Sequence, residues 1–376
     1  MFWKRCSLLR ALLLCFIVCC AFCSLQVQAS SKDPHFDYEN PIQTDPIRDP
    51  HIVKVGKVWY MTGTAAPFFE GSSQGPVPGV KLWSSTNLTE WKLVSQLITP
   101  SGGHWYKKGF KAPELFPYKG KWYLTFSCPF GDAPDSPPAV ALAVANKIGG
   151  PYHVLTEDRP LTEGSDATLF QDDDRKIYLF LNGISAVQVD LDGARTVGEP
   201  FSVLQPGPGT DWDGSAPGAP SVGLEGPSVF KHDHNYYLLY ASLGRGYEVG
   251  YATAPRITGP WLKYHNNPVY GAQDEEWSKI YKHTYTQAPA VPYGALANGS
   301  LFIGPDGGLW FGCHGYLKGR AEQPHLVIAP VTFDHQVIRM VTTWTPQVIF
   351  LPHHFHVHLG DTRLASPELT RLAEQQ

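Results

Sequence analysis

Asp49-Pro-His-Ile-Val53, followed after a short turn by Gly56-Lys-Val-Trp-Tyr60, is the first of five similar segments along this chain of 376 residues. In each segment a short acidic or amide residue is followed by apolar residues, a polar turn and an aromatic strand. The other four segments start at Glu114, Asp166, Glu225 and Asn298. Because recurrence of one pattern is the sequence signature of a repeat architecture, we expect five copies of one structural unit.

The spacing of the repeats predicts the fold class. If Tyr60, Tyr123, Tyr178, Tyr237 and Phe311 are taken as equivalent, the intervals are 63, 55, 59 and 74 residues. Each interval is long enough for four short strands, and runs of β-branched and aromatic residues bounded by Gly, Asp, Asn or Pro favour strands. We predict an all-β fold, a five-bladed β-propeller. A two-sheet sandwich is the alternative, but it would not need such long and similar periods.

The N-terminal residues differ from the rest of the chain. Three basic residues accompany an apolar stretch at 11–22, and small residues lead up to Ala29. This pattern predicts a secretory signal peptide at 1–29 and a secreted or periplasmic protein. The alternative is an uncleaved membrane anchor, although the apolar stretch is short for a span of about 20 residues. After cleavage, we expect no membrane association.

The predicted propeller domain covers residues 30–352, and the tail at 353–376 departs from the repeat. Ser366 and Pro367 could start a short terminal helix. Histidines at alternate positions, from His354 to His358, are more typical of an exposed strand edge than of a metal site. We therefore assign no function to the tail.

Composition excludes several classes of partner. The net charge is −4 and no basic run stands out, so nucleic acid and anionic membranes are poor partners. Outside residues 1–29 the chain keeps Cys128 and Cys313, for which buried thiols and one disulfide both remain open. The many aromatic residues suit the binding of sugars, whose C–H faces pack on flat rings. We expect a monomer.

Acidic residues at the start of innermost strands would face one another at one mouth of a propeller. Like charges brought together in this way cost free energy, and such a cost usually persists where the acids serve a function. The alternative is that each acid caps a turn or satisfies backbone amides. Several acids at corresponding positions favour the functional interpretation.

Four of the segments resemble, in order, the signature segments of glycoside hydrolase family 43. They are Ile47-Arg-Asp49-Pro-His-Ile52, Lys111-Ala-Pro-Glu114-Leu115, Ser165-Asp166-Ala-Thr-Leu-Phe170 and Glu225-Gly-Pro-Ser-Val-Phe230. The resemblance covers nearly the whole chain after residue 29. It implies an inverting glycosidase, built as a five-bladed propeller with three carboxylates in its channel.

The resemblance also implies a role for each carboxylate. Asp49 matches the general base, Glu225 matches the general acid, and Asp166 matches the acid that raises the pKa of the general acid and orients it. Inversion in one step asks for about 6.5–9.5 Å between base and acid, so that water fits between them. A neighbouring carboxylate helps the general acid to stay protonated.

The second and fifth segments differ from this scheme. Glu114 is not one of the family's catalytic acids, and we expect it to be structural. Many family members carry a Gly-His-Asn type segment in the fifth blade, whose His often coordinates calcium; this chain has Asn298 instead, which argues against a channel calcium ion. His283 or His314 could substitute, but a packed, hydrogen-bonded His is the commoner case. We expect no required cofactor and assign no metal ligand.

Three residues are predicted to contact the substrate. Trp105 could form a sugar-stacking wall, Phe68 lies in a Gly- and Pro-rich loop, and Arg320 resembles an arginine that reaches sugar hydroxyls in related enzymes. The predicted partner is a plant or algal polysaccharide or oligosaccharide with α-L-arabinofuranosyl, β-D-xylosyl or related units. The alternatives are a non-catalytic carbohydrate-binding propeller and a different propeller glycosidase family, acting on fructans or anhydrogalactose units.

Overall fold

Five antiparallel sheets follow one another in chain order and form the five blades of a β-propeller, which confirms the predicted fold. The computed structural model describes residues 35–68, 72–320, 323–340 and 347–351. The predicted signal peptide at 1–29 and the tail at 353–376 lie outside the described residues. Within the described part, no helix is long and apolar enough to span a membrane.

The strands of each blade run antiparallel from the channel outward, beginning with the innermost. Blade I contains β2 (Ile47–Val55), β3 (Val58–Ala65), β4 (Val80–Ser85) and β5 (Lys92–Ile98). Blade II contains β6 (Lys111–Tyr118), β7 (Lys121–Pro129) and β8 (Pro138–Ala145), with β9 (His153–Val154) and β10 (Thr162–Glu163) both paired to β8. Blade III contains β11 (Thr168–Gln171), β12 (Ile177–Leu181), β13 (Ser185–Asp190) and β14 (Arg195–Ser202).

The last two blades follow the same plan. Blade IV contains β15 (Leu224–His232), β16 (Asn235–Ser242) and β17 (Gly246–Ala254), with β18 (Leu262–Lys263) and β19 (Tyr270–Gln273) both paired to β17. Helix α1 (Glu275–Ile280) follows, and blade V contains β20 (Tyr293–Ile303), β21 (Leu309–Leu317), β22 (His325–Asp334) and β23 (Val337–Met340).

The N-terminal segment closes the ring against blade V. Strand β1 (His35–Tyr38) pairs with β24 (Gln347–Phe350) in a separate two-stranded sheet. The side-chain amide of Asn40 donates to Ile328 O at 2.8 Å, and Ile328 N donates to Asn40 Oδ1 at 3.0 Å. An antiparallel bridge also joins Ile42 to Leu326. The chain that leads into blade I is therefore anchored on an outer strand of blade V.

Cross-strand apolar pairs fill the core of the blades, as the repeated sequence pattern indicates. In the first two strands of each blade, the paired residues are Val53 with Tyr60, Phe116 with Tyr123, Phe170 with Tyr178, Phe230 with Tyr237, and Phe302 with Trp310. The fifth equivalent aromatic is therefore Trp310 and not Phe311, because the register pairs Phe311 with Leu301. Such pairs are the unit of sheet stabilisation.

A left-handed residue lies four positions before each inner-strand member of these pairs. These residues are Asp49 (φ 49°), Ala112 (φ 42°), Asp166 (φ 49°), Gly226 (φ 55°) and Asn298 (φ 58°). In blades I, II, IV and V the pairing register shifts at this point, as in a β-bulge. Bulges re-aim side chains and often lie next to active sites. In blades II and IV the equivalent positions are thus Ala112 and Gly226, and the glutamates lie beside them.

All five inner strands start at the same end of the channel, here called the mouth. Because neighbouring strands are antiparallel, the segments that connect one blade to the next also lie at the mouth. They include 99–110 before blade II, 203–223 before blade IV and 274–292 before blade V. These connecting segments therefore surround the side chains that the inner strands place at the mouth.

The two cysteines belong to different parts of the core. Cys128 lies in β7 and Cys313 lies in β21; both are buried, in separate clusters of core residues. These two residues, both in the described part of the chain, are not joined by a disulfide. Of the two possibilities left open by the sequence, the structure shows buried thiols.

Candidate active site

Asp49 and Asp166 occupy left-handed backbone positions at the mouth, in blades I and III. Asp and Asn adopt this conformation more readily than most residues, because their short polar side chains bond locally. The side-chain amide of Asn298 lies between them: its Nδ2 donates to Asp49 Oδ1 at 2.9 Å and to Asp166 Oδ2 at 3.1 Å. One amide from blade V thus connects the carboxylates of blades I and III.

Asp49 is held from three sides. Thr64 Oγ1 donates to Asp49 Oδ2 at 2.7 Å, and Thr64 in turn accepts from the backbone N–H of Ala112 at 2.9 Å. The backbone N–H of Asp49 donates to His314 Nδ1 at 3.1 Å. With Asn298 on the other oxygen, the carboxylate has a fixed orientation, as a general base requires.

His314 supports Asp49 as a neutral ring. Burial lowers the pKa of His314 to about 4, so the ring is uncharged at neutral pH. Because Nδ1 accepts from Asp49 N, the ring proton must lie on Nε2. This buried Nε2 has no hydrogen-bond partner among the described residues. His314 thus orients the backbone of Asp49.

Glu225 belongs to blade IV and lies just before the left-handed Gly226. The hydroxyl of Tyr247 donates to Glu225 Oε2 at 2.6 Å. Burial raises the pKa of Glu225 most strongly, the Tyr247 hydrogen bond opposes this, and the charge of Asp49 raises it further. With a raised pKa, the carboxyl keeps its proton to a higher pH, which a general acid requires.

Asp166 has a raised pKa, partly because of the charges of the other two acids. Burial raises its pKa to about 7, with further contributions from the charges of Asp49 and Glu225, while the Asn298 and Asn182 amides oppose the rise. Repulsion between two carboxylates acts on both, so an ionised Asp166 also disfavours ionisation of Glu225. Asp166 and Glu225 therefore titrate as an interacting pair.

Gly226 and Asn298 depend on each other. Gly226 has a φ of 55°, and a Cβ at this position would overlap Asn298 Oδ1. Its backbone N–H donates to Asn182 Oδ1 at 3.1 Å, which fixes the peptide next to Glu225. In the sequence, Asn298 stands out only as a departure from the family pattern. Its place as the fifth member of the repeat was the signal that it belongs to the site.

Glu114 contacts residues of other blades. Its side chain is 17% exposed, and burial raises its pKa to about 8 despite the hydrogen bond from Thr168. Thr168 Oγ1 lies 2.9 Å from Glu114 Oε1 and 2.6 Å from Pro227 O. A hydroxyl has one hydrogen and a carbonyl only accepts, so both contacts form when Glu114 carries a proton.

His51 completes the surroundings of Glu114. Its Nε2 donates to Leu115 O at 3.0 Å, which leaves Nδ1 as an acceptor 3.5 Å from Glu114 Oε2. Burial lowers the pKa of His51 to about 4, so the ring is neutral and does not form an ion pair at neutral pH. Glu114 therefore acts as a neutral link between blades, in line with its expected structural role.

Arg48 is a second residue near the acids that the sequence motifs alone do not single out. Burial opposes its charge, but neighbouring acidic groups, Asp49 first, outweigh burial and raise the pKa of the guanidinium. Its buried Nε has no hydrogen-bond partner among the described residues. Its position directly before Asp49 was the available signal.

The three predicted substrate residues have different surroundings. The Phe68 ring lies 6.0 Å from the Arg48 guanidinium carbon, close to the acids. Trp105 donates from Nε1 to Thr156 O at 2.8 Å and packs edge-on against Phe130, which places it within blade II. Arg320 is exposed in the turn after β21. The structure thus brings Phe68 towards the acids and ties Trp105 to its own blade.

The residues at the channel do not fit the histidine-containing calcium site of many family members. Asn298 directs its amide N–H groups, not a metal ligand, at the two acids. His283 donates from Nε2 to Gly214 O at 3.0 Å, and His314 Nδ1 accepts from Asp49 N. Across the described residues, no group of three or more His, Cys, Asp or Glu side chains is placed to hold a metal ion.

Several known glycosidases are similar in sequence to this chain. A xylan 1,3-beta-xylosidase of Vibrio sp is 29% identical over 266 residues, which are 64% of this chain and 45% of that protein. A non-reducing end alpha-L-arabinofuranosidase of Bacteroides ovatus is 25% identical over 313 residues, which are 79% of this chain and 52% of that protein. The chain thus spans about half the length of these curated relatives.

A solved glycoside hydrolase structure has a similar fold. The crystal structure of a thermostable family-43 glycoside hydrolase is 25% identical, with a TM-score of 0.65, and the match covers 82% of this chain and 98% of that one. The family model described as Glycosyl hydrolases family 43 matches residues 38–336. With its propeller fold and the motifs that carry Asp49, Asp166 and Glu225, the chain belongs to glycosyl hydrolase family 43.

Proposed function

We propose that this protein hydrolyses O-glycosidic bonds in a polysaccharide or oligosaccharide and releases α-L-arabinofuranosyl, β-D-xylosyl or a related sugar. The observation that carries the proposal is the convergence of Asp49 and Asp166 on one Asn298 amide, beside Gly226 and Glu225. The names of the xylosidase and arabinofuranosidase relatives support these sugar classes.

The proposed reaction is a single displacement with inversion. Asp49 takes a proton from a water molecule, whose oxygen forms a bond to the anomeric carbon as the glycosidic C–O bond breaks. Glu225 gives its proton to the departing oxygen. The two groups lie on different blades, I and IV, which suits attack and departure on opposite faces of the sugar. Asp166 keeps Glu225 protonated through the repulsion between the two carboxylates.

We also propose that the protein acts outside the cytoplasm, in the periplasm or the medium. The support is the sequence of residues 1–29, in which basic residues, an apolar stretch and a small-residue cleavage site occur in the order of a signal peptide. Polysaccharides too large to enter the cell are then accessible to the enzyme.

Asp49→Asn and Glu225→Gln test the assignment of base and acid. Each change keeps the shape but removes proton transfer, so kcat on an oligosaccharide should fall by about 10²- to 10⁴-fold. Glu114→Gln is the matched control, a buried glutamate on an inner strand, and it should keep activity within a few-fold. Circular dichroism and thermal unfolding verify the fold of each variant.

The substrate and the stereochemistry are tested together by NMR of the first anomer released, on a panel of arabinans, xylans and aryl glycosides. A first product of retained configuration would refute inversion. Binding of oligosaccharides without release of reducing ends would instead support the non-catalytic alternative. Turnover near the wild-type value in Asp49→Asn or Glu225→Gln would overturn the catalytic roles.

A further inference from the structure

Two segments at the mouth meet on the side of Glu225. Segment 203–223 leads into blade IV, and segment 274–292 leads from blade IV into blade V. They contact each other where His283 Nε2 donates to Gly214 O and Lys282 Nζ donates to Pro217 O, both at 3.0 Å. These segments, here called the acid-side wall, border the inner strand that carries the proposed general acid.

The wall is fixed to the strand that holds Glu225 in place. Asp274 N donates to Arg245 O at 2.8 Å, and Ser278 Oγ donates to Asp274 O at 2.8 Å. Arg245 is two residues before Tyr247, whose hydroxyl donates to Glu225. Helix α1 starts at its N-cap Asp274, whose carboxylate accepts from the backbone N–H of Trp277 at 2.9 Å. The helix therefore has a defined position relative to the acid.

Helix α1 and the residue that follows it present two aromatic rings. Trp277 and Tyr281 are stacked with ring centroids 5.9 Å apart and planes inclined by 26°. Trp277 is 38% exposed, although large aromatic residues are usually buried on average. Burial raises the pKa of Tyr281 and the charge of Glu225 adds to the rise, so the phenol lies within electrostatic reach of the acid.

We propose that Trp277 and Tyr281 form an aromatic platform that binds the sugar ring on the leaving-group side of the scissile bond. The inference rests on the proposed function. Since Glu225 protonates the departing oxygen, the ring attached to that oxygen must lie on the side of Glu225, where the platform is. Flat aromatic faces pack well against the apolar C–H face of a sugar. The natural leaving group is thus a saccharide and not a small alcohol.

Two substrates with the same transferred sugar test the platform. One is an oligosaccharide, whose leaving group is a sugar; the other is the glycosyl fluoride, whose leaving group is a single atom that cannot reach a platform. For Trp277→Ala and Tyr281→Ala, the ratio of kcat/KM on the oligosaccharide to kcat/KM on the fluoride should fall about tenfold. Trp277→Phe keeps a ring and should recover part of the ratio.

Leu262→Ala is the control, since Leu262 is an apolar residue on blade IV that is 69% exposed and belongs to neither the site nor the wall. Its ratio should equal that of the wild type. An unchanged ratio in Trp277→Ala and Tyr281→Ala, or an equal loss on both substrates, would overturn the platform. If the wild type hydrolyses neither substrate for any sugar tested, the proposed function itself fails, which is a distinct result.

Discussion

Blades II and IV each place a partly buried glutamate within two residues of a left-handed residue at the mouth, yet the two glutamates have different surroundings. Glu225 lies one residue before Gly226 and accepts a hydrogen bond from Tyr247. Glu114 lies two residues after Ala112 and faces Thr168 and His51 of other blades. Two residues of the same type thus have different contacts because they lie at different positions relative to the bulge.

The left-handed residues themselves also differ between the two blades. Ala112 carries a Cβ and its N–H donates to Thr64, which holds Asp49. At Gly226 the space that a Cβ would need is taken by Asn298 Oδ1. Blade II therefore supports Asp49 through its backbone, while blade IV leaves room for the amide that connects the two aspartates.

The largest effect is expected when this difference is removed by Gly226→Ala. The new Cβ would displace the Asn298 side chain, and a left-handed Ala costs about 1–2 kcal/mol. Because a misplacement of about 1 Å can cost 10²-fold in rate, kcat/KM should fall by about 10²-fold or more. The measurement is kcat/KM on a sugar substrate together with thermal unfolding.

Ala112→Gly is the matched control in blade II. It removes one buried methyl group at a backbone angle that Gly adopts freely, so stability should change by about 1 kcal/mol and kcat/KM by a few-fold at most. If Gly226→Ala and Ala112→Gly have equal effects on kcat/KM, the two bulges are equivalent and the comparison fails.

A smaller effect is expected from Asn298→Ala, which removes the shared amide but leaves the backbone of blade IV intact. Hydrogen bonds to charged groups contribute about 1.5–3 kcal/mol each, so kcat/KM should fall by about 10- to 100-fold. The amide also lowers the pKa of Asp166, so without it this pKa should rise above its present value of about 7. The acid limb of the pH profile of kcat/KM should then move to higher pH, because Asp166 must be ionised to keep the proton on Glu225.

Asn298→Asp separates the effect of hydrogen-bond donation from the effect of side-chain shape at this position. It fills the same volume but offers no N–H group and adds a negative charge beside Asp49 and Asp166, so its activity should be no higher than that of Asn298→Ala. Full activity in Asn298→Asp would show that the two amide hydrogen bonds are not needed. If the acid limb of the pH profile of kcat/KM stays in place in Asn298→Ala, the amide does not set the ionisation of Asp166.

The sequence was sufficient to predict the propeller and the convergence of its acids, for physical reasons. The repeated pairing of apolar residues, such as Phe116 with Tyr123, recurs once per blade, and a propeller directs every inner strand to one mouth. Asp49 and Asp166 stand at equivalent positions in the sequence and in the structure. The predicted structural role of Glu114 also agrees with its contacts to Thr168 and His51.

The remaining features depend on contacts between distant segments, which the repeat does not encode. A bulge adds one residue to the inner strand, so the sequence could not show that Gly226, and not Glu225, is equivalent to Asp49. An amide cannot transfer protons, so no role for Asn298 follows from the sequence alone; in the structure it donates two hydrogen bonds. Trp277 lies in a helix that interrupts the strand pattern, so its stacking on Tyr281, whose pKa the charge of Glu225 helps to raise, appears only in three dimensions.

The smallest effect on activity, and a clear one on stability, is expected from Glu114→Gln. The folded-state pKa of Glu114 is about 8, above its usual value of 4.5. Between these values the folded state binds more protons than the unfolded state, so the glutamate lowers stability as pH rises from about 4.5 to about 8. Gln imitates the protonated acid, since it accepts and donates but does not ionise. The variant should therefore equal the wild type at pH 5 and exceed it by a few kcal/mol at pH 8, because each pKa unit is worth about 1.4 kcal/mol.

Thermal or urea unfolding of both proteins at pH 5, 6.5 and 8 measures this difference, and the comparison cancels the similar contribution of Asp166, which both retain. A gain in stability that is equal at pH 5 and pH 8 would mean that Glu114 is not protonated in the folded wild type. A loss at pH 8 would mean that its carboxylate is needed in the ionised form. Either result would contradict the neutral link between blades that the contacts of Glu114 with Thr168 and His51 indicate.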